Sequence, residues 1–283
     1  MTGYAETPAI LAVAPNGARK LPTDYPNLPI TPAELAHEAR LCRDAGASVI
    51  HLHVRDDNGG HSLDTGRYRE AMAEIRHAVG NELLIQVTSE AVGIYEADQQ
   101  MAMVCDVVPE AVSLAIREVA PKGGNERAFA DFCAFMREAD IRPQFILYEP
   151  EDIARFADLV ARGIIPGAGF PLLYVLGRYT VGQKSCPADL LGFLASPVVR
   201  EQPDLVSNWM MCAFGRFENA CAMAAIALGG HARIGFENNM TLIDGETPPN
   251  NAALIDQARK GVAMLGRRLA NADIARKLLR PDW

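Results

Sequence analysis

Eight short apolar runs, each followed by a stretch with helical periodicity, recur along the 283 residues, and this alternation limits the available folds more than any other feature. The runs fall at 9–14, 47–54, 83–88, 112–116, 144–148, 172–176, 205–211 and 232–236. The first, AILAVA, is apolar throughout and bounded by Pro and Asn, as a strand in a parallel sheet covered on both faces must be. Helical patterns follow at 31–46, 68–79, 95–104, 126–139, 153–162, 188–194, 218–228 and 252–269. The first of these opens on TPAE. Thr31 can cap, Pro32 suits the first helical position, and Glu34 completes a capping box.

Eight βα units in a chain of this length predict a closed (β/α)8 TIM barrel, a single domain over 1–283 with a short C-terminal helix at 272–279. An open dinucleotide-binding sheet would carry a Gly-rich fingerprint after its first strand. This chain has Asn16-Gly17-Ala18-Arg19 there instead. The sixth unit is the least regular, because 163–177 is rich in Gly and Pro.

With 49% hydrophobic and 22% charged residues, the chain has ample material for a core. A formal net charge of −8 argues against a nucleic-acid surface, which needs clustered cations to displace counterions. The N-terminal MTGYAETPAI has no basic leader and only a short apolar run, so neither a secretory signal nor a membrane span is expected, and a cytoplasmic location is. The six cysteines form no CxxC pair, and most sit on apolar stripes of expected helices, which reads as buried thiols in a reducing compartment.

The second run contains SVIHLHVRDD, with His51 and His53 two apart. On a strand such residues share a face, so both imidazoles are expected to project into the barrel near the strand's C-terminal end, where barrel enzymes place their chemistry. Two buried, hydrogen-bonded histidines are one explanation. Two on one inward face beside Asp56 favour ligands for Zn²⁺ or a similar ion. His37 and His77 fall on helices and His61 in the following loop, so the third ligand is sought elsewhere. Glu237 is the best candidate, because strand eight closes against strand one and strand one lies beside strand two.

Two imidazoles, one carboxylate and an open position describe a catalytic metal site able to polarise a carbonyl. Arg233, four residues before Glu237, is expected to face inward and suits a substrate carboxylate; a strut for a nearby acid is the other explanation. Other strand ends carry polar groups in the same layer: Thr88, Ser89 and Glu90; Ser113 and Arg117; Tyr148 and Glu149. Thr88, Ser113 and Glu149 are candidate substrate contacts.

HLHVRD, VTSE, PEAVSL, WMMCAFGR, GGHARIGFENN, the front segment LPITPAELAHEA and the tail from NNAALIDQ to ARKLL together resemble the β-keto acid cleavage enzyme family. The resemblance runs in order along nearly the whole chain, and HxHxRD with a late GxExN is its specific part. It implies a zinc-dependent TIM barrel that exchanges acyl groups, a β-keto acid and acetyl-CoA giving acetoacetate and a new CoA thioester. It implies an oligomer, a tetramer. It assigns zinc to His51, His53 and Glu237, makes Arg233 part of a catalytic dyad, and matches its two strand-end hydroxyls to Ser89 and Ser113.

Two departures stand out. The family motif usually reads Glu-Asp-Asn, and this chain reads Glu237-Asn238-Asn239, so the position of the catalytic base holds an amide that accepts no proton at neutral pH. The family often has Glu after the Pro of strand five, where this chain has Gln144. Either another carboxylate, Glu90 or Glu149, serves as base, or the chemistry has moved to a CoA-independent, metal-assisted lyase or hydrolase reaction. A binding protein that keeps a metal for stability is the third reading.

Overall fold

The computed structural model describes residues 7–202, 204–206 and 208–283. Eight parallel strands close into a barrel: β1 Leu11–Val13, β2 Val49–Leu52, β3 Leu84–Thr88, β4 Ala111–Ala115, β5 Arg142–Leu147, β6 Pro171–Leu176, β7 Asn208–Ala213 and β8 His231–Ile234. Each pairs with its neighbour in sequence, and β8 closes on β1 with Ala12 opposite Arg233. Glu237 therefore hangs from a strand one removed from β2, as the sequence implied.

Strand parity sorts the apolar residues into two cores. Ile10, Ala12, Val49, Leu84, Ala111, Leu173 and Met210 fill the barrel interior. Leu11, Ile50, Ile85, Val112, Phe145 and Leu172 point outward against the helices, where Leu35, Ile75, Val104, Phe129 and Phe156 meet them. The helix Pro32–Ala45 carries the expected capping box at Thr31 and Glu34 and ends on Gly46 in the left-handed region. Helix Ala272–Leu278 packs Ala275 under the interior core and so plugs the N-terminal end of the barrel.

Four details differ from expectation. The run 47–54 is not one strand: β2 stops at Leu52, and Val54–Arg55 pairs antiparallel with His61–Ser62 in a small hairpin. Its turn is built by Asp56, whose Oδ1 accepts from the Asn58 and Gly60 backbone N–H groups, each at 2.8 Å. Strand seven begins at Asn208 rather than 205 and runs on to Ala213, and Ser207 lies outside the described residues, as does the start of the N-terminal segment read for a leader. The helix expected at 188–194 is a 3₁₀ turn, Pro187–Asp189, running into Leu190–Leu194, with a further short helix at Pro197–Glu201. Strand eight ends at Ile234, so Glu237 sits on a turn and not on the strand itself.

Candidate active site

The turn after β8 is fixed from several sides. Gly235, at φ +145°, packs so closely on β1 that a Cβ there would lie 2.4 Å from the Ala14 carbonyl oxygen. The Glu237 N–H donates to that same Ala14 oxygen at 3.1 Å. Glu218, buried at the head of helix Glu218–Ala227, accepts from the Gly235 N–H at 3.0 Å and from Asn239 Nδ2 at 3.2 Å. Burial pushes the Glu218 carboxyl up to about 8, although these hydrogen bonds oppose it. Arg55 of the HLHVRD motif clamps the loop after β1, donating to the carbonyls of Gly17 at 2.6 Å and Lys20 at 2.9 Å. Lys20 Nζ then donates to the Glu237 carbonyl oxygen at 2.7 Å.

This scaffold brings three side chains to one point. His51 Nε2 lies 3.1 Å from His53 Nε2, and Glu237 Oε2 lies 3.7 Å from the first and 3.5 Å from the second. Zinc–ligand bonds of about 2.1 Å at tetrahedral angles put neighbouring ligand atoms about 3.4 Å apart, so the spacing suits one ion. Glu237 Oε2 is buried with no hydrogen-bond partner, an orphan that a cation would satisfy. Burial, and next the Arg233 charge, holds His51 well below its ordinary value and therefore neutral. Burial raises the Glu237 carboxyl, but the neighbouring Arg233 guanidinium leads the opposing contacts that outweigh it and hold the group well below the usual carboxylate range. Two imidazoles and a carboxylate form a donor set that fits zinc.

The tautomer of His51 is set by a relay that begins on the neighbouring strand β3 and ends on β5. Its Nδ1 meets Gln86 Oε1 at 2.9 Å, and Gln86 Nε2 donates to Gln144 Oε1 at 3.1 Å. Because the Gln86 amide nitrogen is committed to Gln144, its oxygen takes the His51 Nδ1–H. The lone pair is thereby left on Nε2, toward Glu237. Gln144, read from sequence only as a departure, is one end of this relay.

Arg233 is buried, with Nη2 on Glu237 Oε1 at 3.2 Å and on Cys212 Sγ at 3.4 Å. Its Nε and Nη1 are buried without partners, and so is the Ser113 hydroxyl. These groups border a narrow chamber whose lining also includes His51, Thr88, Glu90, Arg178 and Glu237. An outer vestibule of about 240 Å³, lined by Arg19, Lys20 and Asp24 among others, shares Glu90, Arg178, Phe214 and Glu237 with the chamber. Where the two meet, Glu90 Oε1 lies 3.4 Å from Arg178 Nη2.

The expected site residues thus divide. His51, Glu237, Arg233, Thr88 and Ser113 meet at the chamber, and His53 meets the first two. Ser89 is buried behind it, donating to the Ser113 carbonyl at 3.2 Å. Asn238 is buried, and neither of its amide atoms has a partner. Glu149 is not brought to the chamber: its side chain is 58% exposed, caps helix Pro150–Ala161 and faces Arg117 at 3.4 Å. Asp56 serves the hairpin turn, and His61 buttresses Glu90 through a 2.8 Å contact with its carbonyl oxygen. Sequence reading passed over Arg178 and Lys20. The usable signal was position, since both follow barrel strands at the C-terminal face.

Residues 8–280 match the family model described as beta-keto acid cleavage enzyme. The chain belongs to this family. It is 29% identical over 275 residues to the 3-keto-5-aminohexanoate cleavage enzyme of Acetoanaerobium sticklandii, covering 95% of this chain and 97% of that one. It is also 29% identical over 279 residues to the 3-oxoadipate:acetyl-CoA acetyltransferase of Cupriavidus necator, covering 96% and 94%. Among solved structures it is similar to ObcA in a ternary complex with a C4-CoA adduct and oxalate, with a TM-score of 0.72 at 17% identity over 90% of this chain and 67% of that one. At that identity the likeness speaks to the fold alone.

Proposed function

We propose that this enzyme exchanges acyl groups between a β-keto acid and acetyl-CoA, releasing acetoacetate and a new CoA thioester. The observation that carries the reading is the triad of His51, His53 and Glu237 set beside a buried arginine with two unpartnered N–H donors, in a chain whose relatives are named for this chemistry. We take zinc as the ion, held by those three side chains. It supplies Lewis acidity toward a substrate carbonyl. The protein is further proposed to be a cytoplasmic homo-oligomer; among the described residues no helix is long and apolar enough to cross a membrane.

In this reading Arg233 Nε and Nη1 hold the substrate carboxylate, fixing the β-carbonyl over the triad. The Ser113 hydroxyl and Thr88 contact substrate oxygens. Closure within a buried chamber excludes water that would hydrolyse a thioester. The proton on the carbon between the two carbonyls needs an acceptor, and Asn238 is not one. Glu90 is the carboxylate lining the chamber besides Glu237, and Arg178 holds it at the edge facing both cavities. Its oxygen takes that proton, the C–H pair remains on carbon as the enolate, and the enolate attacks the thioester carbonyl arriving through the vestibule, expelling CoA thiolate as the new C–C bond forms. The thiolate then adds to the substrate's original ketone carbon, whose bond to the central carbon breaks to release the new CoA thioester, and the acetoacetate carbanion left behind takes the proton back from Glu90.

The test is an acetoacetate assay on metal-loaded protein with acetyl-CoA and a panel of β-keto acids, alongside elemental analysis. Metal near one per chain with acetyl-CoA-dependent acetoacetate is the expected result. Cleavage that proceeds equally without CoA would replace acyl exchange with lyase or hydrolase chemistry.

A further inference from the structure

The chamber is chemically lopsided, and barrel topology gives the direction. The triad and Arg233 come from β2 and from β8 and its turn, which flank β1. The opposite side of the chamber is formed in its depth by Ala115 of β4, Ile146 of β5 and Val175 of β6, joined by Phe214 after β7, with Tyr148 and Arg178 lining it where β5 and β6 end. The four apolar side chains in its depth are buried. Charged groups around the chamber are already matched: Glu90 with Arg178 at 3.4 Å and Glu237 with Arg233 at 3.2 Å. Besides Glu237 Oε2 at the triad, Arg233 Nε and Nη1 and the Ser113 hydroxyl are unpartnered, enough for one carboxylate and one carbonyl.

Resting on the acyl-exchange reading, we propose that the preferred β-keto acid carries a short, neutral, apolar side chain. A carboxylate held by Arg233 and a ketone at the triad direct the remaining carbons across the barrel toward Ala115, Ile146 and Val175. An ammonium or second carboxylate on that side chain would lie against hydrocarbon with no counter-charge, or would have to break the Glu90 and Arg178 pair. The chamber is narrow and its space is shared with the reacting atoms, which keeps the chain short. Each added or missing methylene in such a pocket is worth about 10- to 200-fold in selectivity, and an uncompensated charge more.

The experiment compares kcat/KM of the metal-loaded enzyme, with acetyl-CoA, for 3-oxopentanoate, 3-oxohexanoate and 4-methyl-3-oxopentanoate against 3-oxoadipate and 5-amino-3-oxohexanoate. A neutral substrate favoured at least 100-fold over both charged ones supports the proposal; a charged substrate equal to or above the neutral set overturns it. Val175→Lys should shift preference toward 3-oxoadipate, and Val175→Leu, which keeps the wall apolar, should instead move the optimum to a shorter chain by about 10-fold. Retained preference in both variants would remove this wall from substrate selection. Should no acid yield acetoacetate, the acyl-exchange reading fails by itself. Calorimetry with pentanoate and glutarate then decides the chamber, tighter pentanoate supporting the apolar preference and tighter glutarate overturning it.

Discussion

Two inward-facing ends of the same strand behave in opposite ways. At the start of β8, His231 is buried with both ring nitrogens engaged: Nδ1 accepts from the Ile10 N–H at 3.1 Å and Nε2 faces Asn208 Oδ1 at 3.4 Å. At the other end, Arg233 Nε, Arg233 Nη1 and Glu237 Oε2 are buried with no partner. A buried polar group with its hydrogen bonds made adds stability, whereas one left open costs about 1–3 kcal/mol and is retained where a ligand completes it. One histidine is part of the frame. The turn only four to six residues later, with His51 and His53, forms the candidate site.

The largest expected break of this contrast is loss of the metal. His51→Ala, His53→Ala and Glu237→Gln each remove one of three protein ligands, so elemental analysis after dialysis should show zinc falling from near one per chain to a small fraction, with turnover lost. His231→Ala should leave zinc unchanged. Full zinc stoichiometry in any of the three ligand variants would reject the ligand assignment.

Next in size is the proton acceptor. Glu90→Gln should lower turnover by about 10²- to 10⁴-fold, the usual range for a positioned base, while zinc stays bound. Asn238→Asp puts back the carboxylate of the family motif. It should raise turnover in the otherwise unaltered enzyme and rescue part of the loss in Glu90→Gln. A drop in activity on Asn238→Asp would instead give the amide a role of its own, and unchanged turnover in Glu90→Gln would send the search to another base.

A smaller effect sharpens how the site is held. Gln86→Leu removes the acceptor of His51 Nδ1–H and frees the ring to adopt the other tautomer, so zinc affinity measured by chelator competition should fall about 10- to 100-fold. Gln144→Glu keeps an acceptor for Gln86 Nε2 and should retain affinity, while Gln144→Leu should lose part of it. Equal affinities in all three would make this relay a packing feature.

These contacts also mark the limits of reading the chain unaided. The barrel was legible because eight apolar runs repeat at a spacing that only a few topologies accept. That His51, His53, Arg233 and Glu237 come together was legible because strand parity and barrel closure are local rules with one long-range consequence. The hairpin after His53 was legible too, yet missed: Asp56-Asp57-Asn58-Gly59-Gly60 is a turn signal, outweighed by the apolar run before it. The relay from His51 through Gln86 to Gln144 joins residues 58 positions apart at its outer link, and no spacing rule encodes it. Arg178 and Glu90, 88 positions apart, meet for the same reason: loops from β6 and β3 converge over the barrel mouth.

The smallest expected effect tests the frame end alone. Burial, and next the Arg267 charge, lowers the His231 imidazole from 6.5 to about 3. The unfolded chain then binds one more proton than the folded chain between those values, so this group's contribution to stability is complete above pH 6.5 and declines as pH falls toward 3. His231→Ala leaves the Ile10 N–H without its acceptor and should cost about 1–3 kcal/mol at neutral pH by denaturant unfolding. The gap between the unsubstituted protein and the variant should narrow as pH drops through that window, because the variant has no imidazole to protonate. Zinc content and turnover at neutral pH should not change. A variant that unfolds normally but loses zinc would show that the two ends of β8 are coupled, and that satisfied and open polar groups on one strand do not divide its labour as the contacts imply.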